Sequence, residues 1–395
     1  MTPAARLSAA IEVLDLHLAG TPVEKALTNW ARRSRYAGSK DRAALRDIVF
    51  DCLRRRASLF HASDQRSGRA LVLGHVALDH DRSELEQLFS GEGYAPARLT
   101  APEGDALFGA GRTPSPEALY DLPGWLIPLF EASLKDDAQS VADILRRRAP
   151  VFLRVNLSRM DRAQAAKALA SEGVETIPHA QVDTALEVTQ NPRRVAQTTL
   201  YKNGVIELQD SSSQALCAGL PDAAKMLDYC AGGGGKVLAY GDRGGAKLFA
   251  HDANEARLSD LHLRAKRAGL SVKTLDTAQC RATAPFDLVL VDAPCSGSGT
   301  WRRSPEAKWS LTQDGLNELV TLQAQILDEA GALVEEGGCL AYATCSVLEE
   351  ENEAQVAAFL QRHTRFQQVS HQCFLPSAQG DGFFVAHLTA RSGAV

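Results

Sequence analysis

Segments typical of strands and of helices alternate over the C-terminal part of the chain, from about residue 225 onward. The segments between the strands have helical character, most clearly the stretch 312–335. Such alternation predicts a parallel β-sheet with helices on both faces, which is an α/β fold. In folds of this kind, ligands bind at the carboxyl ends of the strands, near the point where the strand order reverses. The candidate strands are 226–229, 248–251, 272–275, 286–291 and 339–343.

The region before this alternation shows two further patterns. Residues 1–60 are predicted to be helical, because apolar residues recur there at helical spacing. From residue 151 a strand-like segment is followed by a helix-like one, which indicates a small α+β unit. A chain of 395 residues is expected to form two or three domains. The predicted domains are a helical domain with a linker over 1–125, a small α+β subdomain over 126–215 and the α/β domain over 216–395.

The composition and the N-terminus argue against some classes of protein. No apolar run reaches the roughly 18 residues that a membrane span needs, and the first residues lack the pattern of a signal peptide. We therefore expect a cytoplasmic protein whose eight cysteines are reduced and dispersed, without a Cys-x-x-Cys pair for zinc. Most of the cysteines are expected to act as small buried apolar residues, namely Cys52, Cys217, Cys280, Cys339 and Cys373.

Basic residues are concentrated in two stretches, although the net charge of the whole chain is −5. One stretch is 32–56, which ends in Arg54, Arg55 and Arg56, and the other is 146–159. One interpretation is a solvated helix face, and the other is a surface that follows the phosphates of an RNA strand. The sequence leaves both interpretations open.

Four of the candidate strands end in an acidic residue, and a glycine-rich loop follows the first of them. That loop runs from Cys230 to Lys236 and contains four consecutive glycines. Such glycines let the backbone approach a ligand and turn tightly into a helix. An acid about 20 residues later, here Asp252, can bond the ribose hydroxyls of an adenosine-type cofactor such as NAD or S-adenosylmethionine. Alternatively, these acidic residues cap helices or are exposed to solvent. The four acids are Asp228, Asp252, Asp276 and Asp292.

Two cysteines, Cys295 and Cys345, each follow the end of a predicted strand on the ligand side. A thiolate that adds to carbon 6 of cytosine makes carbon 5 nucleophilic, so that carbon 5 can take a methyl group. This chemistry needs a thiol of lowered pKa and a group that binds the polar edge of the pyrimidine. Asp292 is placed for the second role, because a carboxylate accepts from N4 or stabilises a protonated N3. Spacing alone does not distinguish the two thiols.

These motifs resemble those of the RsmB/Sun family of RNA 5-methylcytosine methyltransferases. The resemblance covers roughly residues 120–390, and residues 1–60 are similar to the NusB-like helical domain of the RsmB branch. It implies a Rossmann-like class I S-adenosylmethionine methyltransferase sheet, preceded by an all-α NusB-like RNA-binding domain and a small α+β RNA-binding subdomain. The matching motifs are residues 209–214, Asp228 to Lys236, Asp292 to Gly297, Thr344-Cys345-Ser346 with Glu350, Glu351 and Asn352, and residues 380–384.

The resemblance also implies a role for each candidate residue. Cys345 would be the nucleophile, and Cys295 would assist release of the product. Asp292 would contact both cofactor and target base, and Lys236 would lie in the active site. One departure is Gly232-Gly233, where the family usually has Ala-Pro, which suggests a more mobile loop. The residues expected to bind S-adenosylmethionine are Cys230, Ala231, Gly232, Gly233, Gly234, Gly235, Lys236, Asp252 at the ribose, Asp276 near the adenine, and Asp292.

The substrate implied by the resemblance is small-subunit (16S) ribosomal RNA, with transfer RNA as the alternative. The target cytosine is expected to be single-stranded or flipped, because a stacked base hides carbon 6. We expect a monomer that binds neither a membrane nor a metal ion.

Three other function classes explain fewer of these sequence features. A NAD-dependent oxidoreductase would leave Cys295 and Cys345 without a role. A methyltransferase acting on a base nitrogen would have Pro-Pro and an aromatic residue after Asp292. A non-catalytic RNA-binding module would leave both cysteine motifs unexplained.

Overall fold

The computed structural model describes residues 1–109 and 113–391, and contacts among them define two compact units. The helical unit consists of Met1–Glu131, Lys135–Arg148 and Trp301–Ser310. The sheet unit consists of Ala132–Leu134, Ala149–Thr300 and the residues from Leu311 onward. The domain boundaries proposed after residues 125 and 215 stay a prediction. No helix in the described residues combines the length and the apolar character needed to cross a membrane.

The helices and strands are as follows. The α-helices are α1 (Pro3–Leu18), α2 (Val23–Arg33), α3 (Ser39–Arg54), α4 (Arg56–Ser63), α5 (Gly68–Val76), α6 (Arg82–Leu88), α7 (Ala101–Phe108), α8 (Pro116–Tyr120), α9 (Ile127–Leu134), α10 (Ala138–Leu145), α11 (Arg162–Ser171), α12 (Thr199–Lys202), α13 (Ser211–Ala218), α14 (Gly235–Gly241), α15 (Ser259–Ala268), α16 (Thr277–Thr283), α17 (Pro305–Ser310), α18 (Gln313–Gly331) and α19 (Glu353–Arg362). The β-strands are β1 (Phe152–Val155), β2 (Thr176–Pro178), β3 (Ala185–Val188), β4 (Ile206–Leu208), β5 (Lys225–Asp228), β6 (Lys247–Ala250), β7 (Val272–Thr274), β8 (Phe286–Asp292), β9 (Val334–Thr344), β10 (Phe366–Phe374) and β11 (Phe383–Ala390).

The helical unit forms because its helices carry apolar stripes that pack on one another. Helix α1 begins after Thr2, whose hydroxyl accepts a hydrogen bond from the backbone N–H of Ala5. Its apolar face is buried and contributes Val13 and Leu14 to a core shared with Trp30 of α2 and with residues of α3 and α5. The helical character predicted for residues 1–60 is confirmed by α1 to α4.

A small antiparallel sheet opens the sheet unit. Its strand order is β2-β3-β1-β4, and every neighbouring pair is antiparallel. Leu153 and Val155 of β1 pack with Ala165 and Leu169 of α11 in a core of their own. This arrangement confirms the small α+β unit that the sequence predicts after residue 151.

The larger sheet has the order β10-β11-β9-β8-β5-β6-β7. The strands from β9 to β7 run parallel, while β11 and β10 are antiparallel additions at one end. Both faces are covered: Leu288 and Leu290 of β8 belong to a core with α14 and α15, and Val289 and Val291 to one with α18 and α19. From β5 the chain moves outward through β6 to β7 and then returns to β8 on the other side of β5. The predicted Rossmann-like α/β fold is therefore confirmed.

Two details differ from the prediction. Helix α18 ends at Gly331, and β9 begins at Val334, so the predicted helix 312–335 is too long and the predicted strand 339–343 too short. The sequence signal fails because the start of β9 is exposed and polar and includes Gly337 and Gly338. Cys373 was expected to be buried, but it is exposed, because β10 is an edge strand with most of its side chains in solvent.

Candidate active site

The carboxyl ends of the parallel strands bring the predicted site residues to one edge of the sheet. Asp228 and Asp292 end the neighbouring strands β5 and β8, between which the strand order reverses. Asp252 lies just beyond β6, and Cys345 lies just beyond β9. Ligands in open α/β sheets bind at such a reversal point.

The glycine-rich loop joins β5 to α14 and is attached to the end of β6. Gly232 and Gly234 have φ angles of 50° and 80°, which are unfavourable for other residues. A Cβ atom on Gly234 would also lie 2.1 Å from Leu261 Cδ1. The backbone N–H of Gly232 donates to Asp252 Oδ2 at 3.0 Å. The loop geometry therefore depends on glycine and on the Asp252 carboxylate.

A cavity of about 630 Å³ lies next to this loop and is lined by Asp252, His262, Leu275 and Asp276 among others. Asp276 also caps α16, accepting a hydrogen bond from the backbone N–H of Gln279 at 2.7 Å. The capping interpretation of this acid is therefore correct, and its position on the cavity wall is compatible with the proposed adenine contact. A volume of this size is in the usual range for small-molecule and cofactor sites.

An orphaned carboxylate oxygen marks the end of β5. Asp228 is buried, and its Oδ1 has no hydrogen-bond partner among the described residues. Burial and the nearby charge of Asp292 raise the pKa of Asp228 to about 7, although Lys236 opposes the shift. Buried polar atoms normally have partners, so a ligand group at this point would satisfy the site. The loop, the cavity and this atom together fit an adenosine-type cofactor.

Lys236 and Asp292 form an ion pair at the inner end of the site. Lys236 Nζ donates to Asp292 Oδ2 at 2.6 Å, and the Lys236 side chain is almost wholly buried. Burial lowers the pKa of Lys236, but the charge and hydrogen bond of Asp292, together with the charges of Cys217 and Cys345, outweigh burial and raise it. The lysine is therefore held as a cation beside the Asp292 carboxylate.

The two predicted thiols lie in direct contact. The Sγ atoms of Cys295 and Cys345 are 3.5 Å apart, and the Thr300 hydroxyl lies 4.0 Å from the Cys345 sulfur. A hydrogen bond from Cys295 lowers the pKa of Cys345, and the Lys236 charge acts in the same direction against burial. That hydrogen bond and burial raise the pKa of Cys295, and the charge of Glu351 adds to the effect. The surroundings therefore favour the thiolate at Cys345.

A buried glutamate connects the two cysteine loops. Glu351 has no exposed surface and accepts hydrogen bonds from the backbone N–H and hydroxyl of Ser296, which follows Cys295. It also accepts from the hydroxyl of Ser346, which follows Cys345, at 2.6 Å. Gln323 Nε2 donates to it at 3.0 Å. In the sequence, Glu351 stands out only as part of a motif, because a run of three glutamates is typical of a solvated surface.

A further cysteine of the predicted site, Cys230, has surroundings typical of a structural residue. Cys230 is half-buried beside the glycine-rich loop, and burial raises its pKa, so it is not a reactive thiol.

Several arginines of the predicted basic surface form hydrogen bonds or ion pairs within the protein. Arg54 is buried and bonds to Arg302 O and Asp51, Arg154 is buried against Asp242, and Arg146 bonds to Asp121.

One group of possible metal ligands includes none of the predicted site residues. Ligand atoms of Glu353, His371 and Cys373 are within 4.8 Å of one another on the exposed edge of the larger sheet. The group is not apparent in the sequence, because Glu353 is distant in the chain from the other two residues.

Comparisons with known proteins agree with this geometry. The family model for the 16S rRNA methyltransferase RsmB/F matches residues 218–389, and that for the ferredoxin-like domain of RsmF/B-like methyltransferases matches 122–195. Ribosomal RNA small subunit methyltransferase B of Escherichia coli O6:K15:H31 is 35% identical over 290 residues, covering 69% of this chain and 67% of that protein. The protein of the same name from Shigella sonnei has the same identity and coverage.

Solved structures show the same fold. The crystal structure of PH0851 has a TM-score of 0.74 at 25% identity and covers 98% of this chain and 99% of its own. That of NSun6 from Pyrococcus horikoshii with SFG has a TM-score of 0.61 at 17% identity, over 70% of this chain and 100% of its own. The chain therefore belongs to the RsmB/F family of methyltransferases, and its methyl donor is S-adenosylmethionine.

Proposed function

We propose that this chain methylates carbon 5 of a cytosine in small-subunit ribosomal RNA, through a covalent adduct on Cys345. The contact of 3.5 Å between the Cys295 and Cys345 sulfurs carries the proposal, because a nucleophile and a release residue must both reach the same base. The ribosomal substrate is supported by the names of the relatives from Escherichia coli and Shigella sonnei. Transfer RNA is the second candidate. The enzyme acts as a cytoplasmic monomer, and residues 1–125 form its NusB-like RNA-binding domain.

The reaction assigns one step to each thiol. The Cys345 thiolate forms a bond to carbon 6, and the displaced electron pair makes carbon 5 nucleophilic. S-adenosylmethionine supplies the methyl group that carbon 5 takes. A base then takes the carbon 5 proton, the electron pair of that C–H bond restores the C5–C6 double bond, and the bond between sulfur and carbon 6 breaks to release the Cys345 thiolate. Cys295 lies beside the departing sulfur and assists this elimination.

The other site residues position the cofactor and the base. The loop from Cys230 to Lys236 holds the cofactor, Asp252 binds its ribose, and Asp276 lies at its adenine. Asp292 binds the polar edge of the cytosine, where it accepts from N4 or stabilises a protonated N3. The Lys236 cation keeps Asp292 oriented, which is supported by their bond of 2.6 Å.

Nucleoside analysis after methyl transfer tests the proposal. Full-length protein would be incubated with isotope-labelled S-adenosylmethionine in two separate reactions. One reaction contains small-subunit ribosomal RNA, and the other contains transfer RNA. We expect labelled 5-methylcytidine in the ribosomal RNA with wild type, none with Cys345→Ala, and an unchanged yield with Cys373→Ala, which removes an exposed thiol. Label on a nitrogen or oxygen atom would contradict the carbon 5 chemistry, and label only in transfer RNA would contradict the substrate.

A further inference from the structure

A second cavity, of about 580 Å³, lies within the helical unit and takes no part in the proposed reaction. Its wall includes the aromatic rings of Phe60 and Trp309 together with Arg56, His61 and Arg66. The acids Asp64 and Glu117 also line it, so the cavity offers flat, cationic and hydrogen-bond-accepting groups together. A site with that mixture suits a ligand that has an aromatic ring, an anionic group and amino groups.

Arg56 is the cation that lies beside both aromatic rings of the cavity wall. Its guanidinium lies 5.1 Å from the centre of the Trp309 ring and 5.8 Å from that of Phe60. Within residues 1–109 and 113–391, no acidic side chain forms an ion pair with it, in contrast to Arg46 and Arg54. Burial and the charge of Arg66 both lower the pKa of Arg56. Arg56 therefore has no ion-pair partner of its own among the described residues, although Asp64 and Glu117 line the same cavity.

The groups around Arg56 are held in place or lack a partner. Trp309 is oriented by a hydrogen bond of 2.7 Å from its Nε1 to the backbone carbonyl of Leu53. The Nε2 atom of His61 is buried and has no hydrogen-bond partner among the described residues. A preformed aromatic face beside two arginines resembles the platforms on which proteins stack single-stranded nucleic acid.

We infer that this cavity binds one nucleotide of single-stranded RNA at a distinct position from the methylated cytosine. The base stacks on the surface formed by Arg56 and Trp309, and Arg66 contacts a phosphate. The carboxylate of Glu117, which also lines the cavity, accepts from an amino group of the base, which favours a nucleotide over a bare phosphate. The inference rests on the proposed action on RNA and adds a second contact through which the enzyme selects its substrate.

Binding measurements on the full-length protein test the inference. The probes are a fluorescein-labelled short single-stranded RNA, followed by anisotropy, and adenosine monophosphate, followed by tryptophan fluorescence. The variants are Arg56→Gln and Arg66→Gln, the second at an exposed position where folding is not at risk. Arg98→Gln is the matched control, because it removes an exposed arginine of the same unit that does not line the cavity.

We expect Arg56→Gln and Arg66→Gln to weaken RNA binding about tenfold each, by the usual size of stacking and phosphate contacts. The slope of log K against log salt should fall by about 0.7 for Arg66→Gln, and Arg98→Gln should bind like wild type. Equal affinities in all proteins, or equal losses in all three variants, would overturn the inference. Loss of adenosine monophosphate binding with unchanged RNA binding would assign the cavity to a free nucleotide instead. Failure of wild type to methylate RNA would be a separate result, against the proposed function.

Discussion

The sulfur atoms of Cys295 and Cys345 lie 3.5 Å apart, just beyond the carboxyl ends of the adjacent strands β8 and β9. Their surroundings differ although their positions are similar. Lys236 and the Thr300 hydroxyl act on Cys345, whereas the charge of Glu351 acts on Cys295. Charge and hydrogen bonding therefore provide a distinction between the two thiols that their spacing in the sequence does not.

Removal of each thiol should have opposite effects on a covalent RNA adduct. Cys295→Ala should accumulate protein attached to RNA on denaturing gels, because the nucleophile remains while release is slowed. Cys345→Ala should form no adduct, and the exposed-site control Cys373→Ala should resemble wild type. The reverse pattern, with adduct in Cys345→Ala, would show that Cys295 attacks the base.

Asp252→Ala should weaken the binding of S-adenosylmethionine about 10- to 100-fold, the amount expected for hydrogen bonds to a charged carboxylate. The change removes the proposed ribose contact and also the acceptor for the backbone N–H of Gly232. Isothermal titration calorimetry with the cofactor measures the effect. Asp260→Asn, at an exposed position on α15, is the control and should bind the cofactor like wild type. Unchanged affinity in Asp252→Ala would remove the ribose assignment.

Glu351→Gln should slow methyl transfer by about 10- to 100-fold, because small displacements of reacting groups have effects of this size. A neutral amide cannot accept from both Ser296 and Ser346 as strongly as the carboxylate does. Cofactor affinity should not change, since the hydrogen bonds of Glu351 go to Ser296, Ser346 and Gln323 and not to the loop that binds the cofactor in the proposed mechanism. Glu350→Gln is the matched control, because Glu350 is half-buried and its Oε2 has no hydrogen-bond partner among the described residues. Equal rates in the two variants would argue against a positioning role.

The raised pKa of Asp228 should make the free energy of unfolding depend on pH. Its pKa is about 7 in the folded protein and near 3.8 when unfolded, so its contribution to stability is present below the unfolded pKa and is lost as the pH rises through 7. Asp228→Asn cannot titrate and should not show this loss. Relative to that variant, wild type should lose about 2 to 3 kcal/mol of stability between about pH 5 and about pH 8. Urea unfolding at both pH values measures the difference, and parallel behaviour of the two proteins would contradict it.

The sheet and its acidic edge could be predicted because local patterns determine them. The apolar run of β8 ending in Asp292, and the glycine-rich loop ending in Lys236, are visible within a few residues of sequence. The start of β9 was missed because it is polar and exposed, although Val334 pairs with Phe286. The pairing partner of a strand lies far away in the sequence, so a short window does not contain that information.

Burial was the main quantity that the sequence did not reveal. Glutamate and arginine are usually exposed, yet Glu351 and Arg54 are buried and hydrogen-bonded. Cys373 looks like a core residue and is exposed. In each case the outcome depends on tertiary neighbours, and residue type gives only an average tendency.

The helical unit is discontinuous in the gene as well as in the chain. Trp301–Ser310 belongs to it by contacts, and within it Trp309 and Lys308 donate to the carbonyls of Leu53 and Arg54. A recombination event that exchanged only the first 148 codons would leave this segment without its packing partners. We therefore expect the two regions to be inherited together and to change by matched substitutions. We also expect that residues 1–148 alone cannot be exchanged between enzymes as an independent domain.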